Sequence, residues 1–279
     1  MQIKNLRKSE IIKDLGQNEL LAIDPLLEHL TGKQREYLFA HPEYEIEDDI
    51  LSQFFEQINC LKDGKPLSQI INKKEFFGLE FYVSSDVLTP RPESELIVEL
   101  VLNFIKKNQI TNPKILDIGT GSGNLVLSIM SQLQNGIGIG LEISDEALKV
   151  AKKNQKKLQL NDRVKIKKSD LLNSLENNEA FDVLVANLPY IGLKKFNFVS
   201  NSAFRHEPHI ALFGGEDGLD LYRRLFEQIK QKNIVFKIFM AEFGFGQEDL
   251  MRKLIETYYQ DYRIINDLAG IPRIFIIEQ

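Results

Sequence analysis

The stretch ILDIGTGSG at residues 115–123 joins a short apolar run to a turn in which every second residue is glycine. The apolar run is typical of a buried strand. Glycines at its end let the chain turn tightly and let a ligand approach the backbone. Asn124 stands where a dinucleotide-binding fingerprint would place its third glycine, so that fingerprint is broken. The stretch therefore predicts a strand followed by a ligand-binding turn of another kind.

Strand patterns alternate with helix patterns from Lys114 onwards. The clearest helix begins near Ser144, a good N-cap residue. The predicted strands are 115–118, 137–141, 164–166, 181–186 and 235–241. This alternation predicts an α/β domain with a doubly wound, mostly parallel sheet. Near the end of the chain, residues 262–265 and 273–277 predict an antiparallel hairpin that makes the sheet mixed.

The first part of the chain has a different character. Residues 1–75 lack strand patterns and carry apolar side chains at helical spacing over 11–30, 35–39 and 46–61, which predicts a small helical domain. The aromatic stretch 76–83 predicts a short hairpin. We therefore expect a helical domain over 1–75, a hairpin linker over 76–89 and the α/β domain over 90–279.

A polar tetrapeptide, Asn187-Leu188-Pro189-Tyr190, directly follows the apolar run 181–186. Ligands of α/β sheets bind at the carboxyl ends of strands. The Asn187 side-chain oxygen and the Leu188 carbonyl could each accept a hydrogen bond from a planar NH2 group, whose delocalised lone pair makes it a poor nucleophile. Pro189 favours an extended Leu188, and Tyr190 can pack against a flat group. We predict these four residues to be catalytic and substrate-binding, with a simple strand-ending turn as the alternative.

Acidic residues follow the second and third predicted strands, at Glu142 and Asp170. Together with the GxGxG turn, they are typical of proteins that bind S-adenosyl-L-methionine (AdoMet), in which an acidic residue holds the ribose hydroxyls. Asp170 could bind the adenine amino group and Leu171 could cover the ring. The predicted cofactor-binding residues are Asp117, Gly119, Thr120, Gly121, Ser122, Gly123, Glu142, Asp170, Leu171 and Asn187.

Composition, net charge and cysteine usage exclude several classes of protein. The chain has 279 residues, 43% of them hydrophobic, and a net charge of −5, so it lacks the overall basic field of a nucleic-acid-binding protein. Its single cysteine excludes an internal disulfide. Pro208 separates His206 from His209, and we predict no metal site. Without a secretory signal or a run of about 18 apolar residues, we expect a soluble, cytoplasmic protein without membrane contact, and a monomer.

These motifs together resemble the HemK/PrmC family, the peptide chain release factor glutamine methyltransferases, over nearly the whole length. The resemblance rests on specific flanking segments as well as on the glycine turn. They are Gln34 to Pro42, Phe76 to Val83, Val87 to Glu95, Leu116 to Leu127, Glu207-Pro208 and Ala211 to Leu219. It implies a class I AdoMet-dependent methyltransferase that methylates the glutamine of a release factor's Gly-Gly-Gln motif, leaving S-adenosyl-L-homocysteine. The helical domain would then recognise the protein partner.

Two positions depart from the family pattern. Leu188 replaces the first proline of the usual Asn-Pro-Pro-Tyr, and Glu142 stands where Asp is more common. Asn-Leu-Pro-Tyr also resembles adenine dimethyltransferases of ribosomal RNA. An adenine-N6 methyltransferase of RNA or DNA, or a glutamine methyltransferase of a ribosomal protein, is therefore the alternative, although we expect no direct nucleic-acid substrate. We further predict that Pro90, Arg91 and Glu207 shape the substrate entrance, or that Arg91 and Glu207 form an ion pair between segments.

Overall fold

The computed structural model describes residues 1–194 and 200–279. The chain divides into two compact units, Met1–Asn72 and Lys73–Gln279. Within the described residues, no helix combines the length and apolar character needed to cross a bilayer.

The first unit is helical and has its own apolar core, built around Leu26, Leu27 and Phe54. The apolar spacing over 11–30 does not correspond to a single helix, because residues 14–16 are not helical. Gly16 is extended there (φ −68°, ψ 169°) and precedes the main helix, which ends at Gly32 in the left-handed region (φ 64°). The helices are Ile3–Arg7 (α1), Glu10–Lys13 (α2), Gln17–Thr31 (α3), Arg35–Ala40 (α4), Asp48–Lys62 (α5) and Leu67–Ile70 (α6).

The second unit opens with the hairpin of Lys74–Phe76 (β1) and Leu79–Phe81 (β2), which are antiparallel. The strands start two residues earlier than the aromatic pattern suggested, because Lys74 pairs with Phe81. Gly78 at the turn has a φ of 69°, which only glycine adopts without strain. A single 3₁₀ turn, Pro92–Ser94, then leads into the helix Glu95–Lys107 (α7).

Seven strands within the described residues form one sheet in the order β5-β4-β3-β6-β7-β9-β8. β3 to β7 pair in parallel, whereas β9 runs antiparallel to β7 and β8 antiparallel to β9. This confirms the predicted fold. The strands are Lys114–Ile118 (β3), Ile137–Glu142 (β4), Val164–Lys168 (β5), Ala180–Ala186 (β6), Val235–Glu242 (β7), Tyr262–Asn266 (β8) and Pro272–Glu278 (β9).

Both faces of the sheet are buried. Along β3 and β6, Leu116 and Leu184 belong to one apolar cluster, whereas Ile115 and Val183 belong to another. Such two-sided burial explains why these strands read as continuous apolar runs rather than alternating ones. The remaining helices of this unit are Asn124–Gln132 (α8), Asp145–Lys157 (α9), Asn201–His206 (α10), Asp220–Gln231 (α11) and Glu248–Glu256 (α12). The predicted N-cap is confirmed, since Ser144 Oγ accepts from the Ala147 N–H.

The strand order reverses direction next to β3. The chain passes from β3 to β4 and β5 on one side, then returns to β6 and β7 on the other. Crevices for ligands in open α/β sheets form at such a reversal, outside the carboxyl ends of the strands. The register makes these ends level: Ile118 pairs with both Leu141 and Ala186, and Ala186 pairs with Ala241.

Candidate active site

Two cavities open at the carboxyl edge of the sheet and share a wall. The smaller has a volume of about 290 Å³ and lies over the glycine turn. The larger, of about 720 Å³, lies beyond the tetrapeptide. The residues that line both are Leu88, Arg91, Asn187, Leu188, Pro189 and Ala211. A group held in one cavity therefore meets a group held in the other at the predicted catalytic tetrapeptide.

The smaller cavity brings together nine of the ten predicted cofactor residues. Gly121 leaves space there, since a Cβ built on it would have only the Gly119 carbonyl as a neighbour, at 4.0 Å. Gly123 is placed differently: its Cβ would lie 2.7 Å from a Leu127 methyl, so this glycine serves close packing of the turn on α8. The predicted residues in the lining are Asp117, Gly119, Thr120, Gly121, Ser122, Glu142, Asp170, Leu171 and Asn187.

Asp117 ends β3 with one carboxylate oxygen paired and the other free. Its Oδ2 accepts from the Thr120 hydroxyl at 2.6 Å and from the Val126 N–H at 3.3 Å. Its Oδ1 is buried and has no hydrogen-bond partner among residues 1–194 and 200–279. Burial raises the pKa of Asp117 to about 7, and the nearby charge of Glu142 adds to the rise. A cation placed against Oδ1 would satisfy this oxygen and stabilise the ionised form.

Glu142 ties the glycine turn to the end of β4. Its Oε2 accepts from the Gly121 N–H at 2.9 Å, and its Oε1 accepts from the Ile143 and Ser144 N–H groups, each at 2.9 Å. Oε2 can still accept from a further donor, because a carboxylate offers about four lone-pair sites, of which Oε1 already uses two and Oε2 one.

Asp170, after β5, forms an ion pair with Arg224 at 2.5 Å. Sequence reasoning did not foresee this partner, which lies on α11. Asp170 lines the smaller cavity together with Leu171. The lining thus offers the unpaired buried oxygen of Asp117, open space above Gly121 and two further acidic groups, Glu142 and Asp170. These features fit AdoMet, which carries a cationic amino-acid end, a ribose diol and an adenine amino group.

Asn187 is held by a buried polar cluster that the sequence did not reveal. Its Nδ2 donates to Ser94 Oγ at 2.9 Å and to Glu242 Oε2 at 3.1 Å. The Ser94 hydroxyl donates to the same Glu242 oxygen at 2.5 Å, and the Tyr190 hydroxyl donates to Glu242 Oε1 at 2.9 Å. Glu242 is only 2% exposed. The Oδ1 of Asn187 is left buried without a hydrogen-bond partner in the described part of the chain.

The cluster has unusual acid–base properties. Burial raises the pKa of Glu242, although hydrogen bonds from Ser94 and Tyr190 and the charge of Arg273 oppose the rise. Burial, together with the neighbouring Glu242, also raises the pKa of Tyr190 well above its ordinary value. Tyr190 is therefore a neutral hydrogen-bond donor, and its hydroxyl points to Glu242 rather than outward.

Close backbone packing supports the tetrapeptide from behind. A Cβ on Gly214 would lie 2.1 Å from the Pro189 carbonyl oxygen, and one on Gly218 would lie 2.0 Å from that of Tyr190. The Gln247 side chain adds hydrogen bonds, donating to the Tyr190 carbonyl at 2.6 Å and to the Asp217 carbonyl at 3.0 Å. Gly214 and Gly218 of the segment 211–219 therefore have to be glycine, because any side chain there would collide with the tetrapeptide backbone.

Arg91 and Glu207 form an ion pair at 2.6 Å, as one of the two sequence interpretations proposed. The Thr89 N–H also donates to Glu207, at 3.3 Å. Pro90 and Arg91 line the smaller cavity, and Arg91 lines the larger one as well. Glu207 thereby anchors the segment that forms part of the shared wall.

Within the described ranges, no group of three or more His, Cys, Asp or Glu side chains could hold a metal ion. His209 instead packs on aromatic rings, with its ring centroid 4.9 Å from that of Phe204 and 5.5 Å from that of Phe213.

Sequence reasoning missed Ser94, Glu242 and Gln247. Glu242 carried a usable signal, because it is an acidic residue at the end of an apolar strand, the same pattern that identified Glu142. Ser94 and Gln247 carried none, since a serine before a helix and a glutamine after a glycine are ordinary caps and turn residues.

Comparisons with known proteins identify matching families and a shared fold. Residues 9–71 match the family described as PrmC N-terminal domain, and residues 111–212 match the family described as Methyltransferase domain. Among solved structures, the METTL16 catalytic domain in complex with a MAT2A 3′UTR hairpin covers 83% of this chain and 82% of its own, with a TM-score of 0.57 at 15% identity. The Thermus thermophilus 16S rRNA methyltransferase RsmC, solved with AdoMet and guanosine, covers 74% and 49%, with a TM-score of 0.52 at 15% identity. These two structures share the fold.

Curated relatives are much more similar in sequence. The release factor glutamine methyltransferase of Clostridium acetobutylicum is 42% identical over 253 residues, which cover 90% of this chain and 88% of the relative. The Bacillus subtilis enzyme of the same name is 33% identical over 275 residues, which cover 95% and 93%. The resemblance inferred from the motifs is thereby confirmed, and the chain belongs to the release factor glutamine methyltransferase family.

Proposed function

We propose that this protein transfers a methyl group from AdoMet to the side-chain amide nitrogen of the glutamine in the Gly-Gly-Gln motif of peptide chain release factors. One observation carries the proposal: a buried acceptor, Asn187 Oδ1, has no partner among the described residues, and Asn187 is one of the residues that line both cavities. A substrate NH2 group is the complement of such an atom. The names of the bacterial relatives identify the amide as that of a release factor glutamine.

The smaller cavity is the proposed cofactor site. When bound, AdoMet would supply a methyl group that is already electrophilic. Asp117 Oδ1 would accept from its cationic amino-acid end, and Glu142 would accept from a ribose hydroxyl through the unused lone pair of Oε2. Asp170 would bind the adenine amino group with the oxygen that Arg224 leaves free, and Leu171 would cover the ring.

The larger cavity is the proposed glutamine site. Asn187 Oδ1 and the Leu188 carbonyl would each accept a hydrogen from the substrate amide, which aims its nitrogen at the smaller cavity. Because both reactants are already bound and held in line, much of the entropy that a bimolecular collision would lose has been lost before the reaction step. The two acceptors would also stabilise the positive charge that grows on the nitrogen as its bond to carbon forms. The nitrogen then loses its proton to water.

The helical unit is the proposed recognition domain for the release factor. A single glutamine side chain offers far less area than the roughly 800 Å² per partner of a standard protein interface. Further contacts are therefore needed for specificity, and a separate helical unit with its own core can provide them.

One assay tests the substrate. Purified protein is incubated with labelled AdoMet and, side by side, with release factor, with release factor whose motif glutamine is replaced by alanine, with ribosomal protein and with ribosomal RNA. We expect label only in the intact release factor, at the glutamine side chain. Label in RNA but not in release factor would overturn the proposal in favour of adenine methylation, and label confined to ribosomal protein would move the glutamine to another partner.

A further inference from the structure

We propose that Glu242, together with Ser94, is a positioning device that holds the Asn187 amide in one orientation, with its acceptor oxygen turned to the substrate. The inference rests on the proposed function of Asn187 and adds to it two residues outside the tetrapeptide. Neither residue needs to touch the substrate for this role.

The sheet register places Glu242 beside Asn187. Ala186 and Ala241 are paired across the parallel strands β6 and β7, so Asn187 and Glu242, the next residue along each chain, lie at the same level. Ser94 approaches from the turn before α7 and lies within hydrogen-bond distance of both. The contact is therefore a product of topology, since the three residues are 93, 55 and 148 positions apart in sequence.

An asparagine amide has a donor end and an acceptor end of almost equal shape, so its environment must choose between them. Glu242 Oε2 already receives the Ser94 hydroxyl hydrogen at 2.5 Å. Ser94 therefore presents a lone pair to Asn187, and the carboxylate presents another. Both neighbours can only accept, which requires the NH2 end of Asn187 to face them, at 2.9 and 3.1 Å.

The opposite orientation would be costly and inactive. It would place Asn187 Oδ1 against two acceptors inside a buried site, where repulsion is poorly screened. It would also turn the NH2 end towards the cavity, where it would oppose the substrate NH2 group instead of accepting from it. The charge and burial of Glu242 thus convert an ambiguous amide into a fixed acceptor.

Glu242 is placed to orient rather than to react. It is 2% exposed and is not among the residues that line either cavity. Three donors surround its two oxygens, namely Ser94, Asn187 and Tyr190. A proton leaving the substrate nitrogen would have to pass Asn187 to reach it.

The test is a double-mutant cycle with Glu242→Gln, which keeps the shape of the side chain but introduces an NH2 end. In the wild-type background we expect Glu242→Gln to lower kcat by ~10-fold or more, with KM for AdoMet nearly unchanged. Ser94→Ala, which removes the second acceptor, is expected to lower kcat in the same direction. In the Asn187→Ala background, Glu242→Gln should change kcat by less than ~2-fold, since interacting residues give non-additive effects.

Two measurements that do not depend on turnover accompany the cycle. Calorimetric affinity for AdoMet and the thermal midpoint show whether each variant is folded. The side-chain NH2 resonance of Asn187, assigned by its loss in Asn187→Ala with asparagine-selective labelling, reports the hydrogen bond to the carboxylate directly. We expect this resonance to shift upfield in Glu242→Gln, because a charge-assisted hydrogen bond becomes a neutral one.

The outcomes separate the two proposals. If the wild-type protein does not methylate release factor, or if Asn187→Ala leaves kcat unchanged, the proposed function fails. Suppose instead that the wild-type protein methylates release factor and that Asn187→Ala lowers kcat. If Glu242→Gln then lowers kcat by the same factor with and without Asn187, Glu242 does not act through Asn187 and this inference is overturned. An unchanged Asn187 resonance in folded Glu242→Gln would overturn it as well.

Discussion

Arg91 Nη2 lies 2.6 Å from Glu207 Oε2, although the two residues are 116 positions apart in sequence. The Glu207 side chain is 1% exposed, whereas that of Arg91 is 37% exposed. The contact joins the segment before α7 to the segment after α10, and both segments contribute to the cavity walls. A nearly buried carboxylate therefore depends on one half-exposed guanidinium for its charge compensation.

Removing that guanidinium should destabilise the protein. Breaking a fully buried ion pair costs ~3–5 kcal/mol, and partial solvent access to Arg91 reduces our expectation for Arg91→Ala to about 1–3 kcal/mol. Arg91→Lys keeps the charge and should lose less. The midpoint of urea unfolding measures the difference; equal midpoints for Arg91→Ala and wild type would show that the pair contributes nothing to stability.

Filling the space above Gly121 should block the smaller cavity. Gly121 has a φ of +55° and an open Cβ position, so Gly121→Arg adds both left-handed strain and volume. The matched control is Gly78→Arg on the hairpin, where φ is +69° and nothing lies within 4 Å of the Cβ position. We expect calorimetry to show AdoMet binding by Gly78→Arg but not by Gly121→Arg. Normal affinity in both would place the cofactor elsewhere.

Asp117 should make AdoMet binding depend on pH. Its pKa in the folded protein is about 7, above the ordinary value of 3.8, so the folded state binds more protons than the unfolded state between these values. The contribution of Asp117 to the free energy of unfolding is therefore largest at low pH and is lost as pH rises from about 4 to about 7. A cationic ligand favours the carboxylate, so binding should release a proton and tighten over the same window.

Calorimetry of AdoMet binding in buffers of different ionisation enthalpy measures that proton directly. We expect affinity to rise towards about pH 7 and then level off. Asp117→Asn should bind more weakly and lose this dependence. A pH-dependence that persists in Asp117→Asn would assign it to another group.

The fold was predictable because its signals are local. The apolar runs of β3 and β6, the glycines after Ile118 and the alternation of strand and helix patterns are each visible in a short window. The tetrapeptide was visible for the same reason, since Asn187 directly follows a strand and strand ends are where such sheets bind ligands. The interrupted helix near Gly16 shows the limit of periodicity, because apolar spacing continued across the break.

The support of the site was not predictable in the same way. Glu242 and Ser94 reach Asn187 only through sheet register and the position of the α7 turn, and no local pattern encodes such a contact. The orientation of the Asn187 amide depends on these partners. The Arg224 partner of Asp170 likewise comes from a distant helix.

Deleting the helical unit should separate recognition from chemistry. Its apolar core lies entirely within residues 3–71, and the two main clusters around the sheet lie within residues 76–277. We expect a chain of residues 73–279 to keep its AdoMet affinity in calorimetry. Its kcat/KM for intact release factor should fall much more than for a short Gly-Gly-Gln peptide. An equal loss on both substrates would assign the unit a role in folding instead.

Leu188→Pro tests how much the departure from the family tetrapeptide matters. Leu188 is 2% exposed, and its Cδ2 lies 2.7 Å from the Cβ position of Gly119, so its side chain fills the space that this glycine leaves open. Proline keeps the carbonyl acceptor but not this packing. We therefore expect a loss of about 1–3 kcal/mol in stability, below that of a full Leu→Ala truncation in a tight core.

Leu188→Ala is the matched control, because it also loses the packing but leaves φ free. If a fixed φ helps to aim the carbonyl, Leu188→Pro should have the higher kcat of the two at 25 °C, by a few-fold at most, since restricting one backbone position is worth only ~0.4–1 kcal/mol. Both variants should still methylate glutamine and not adenine, because Asn187 and its partners are unchanged. A switch of Leu188→Pro towards RNA would show that residue 188 selects the substrate class.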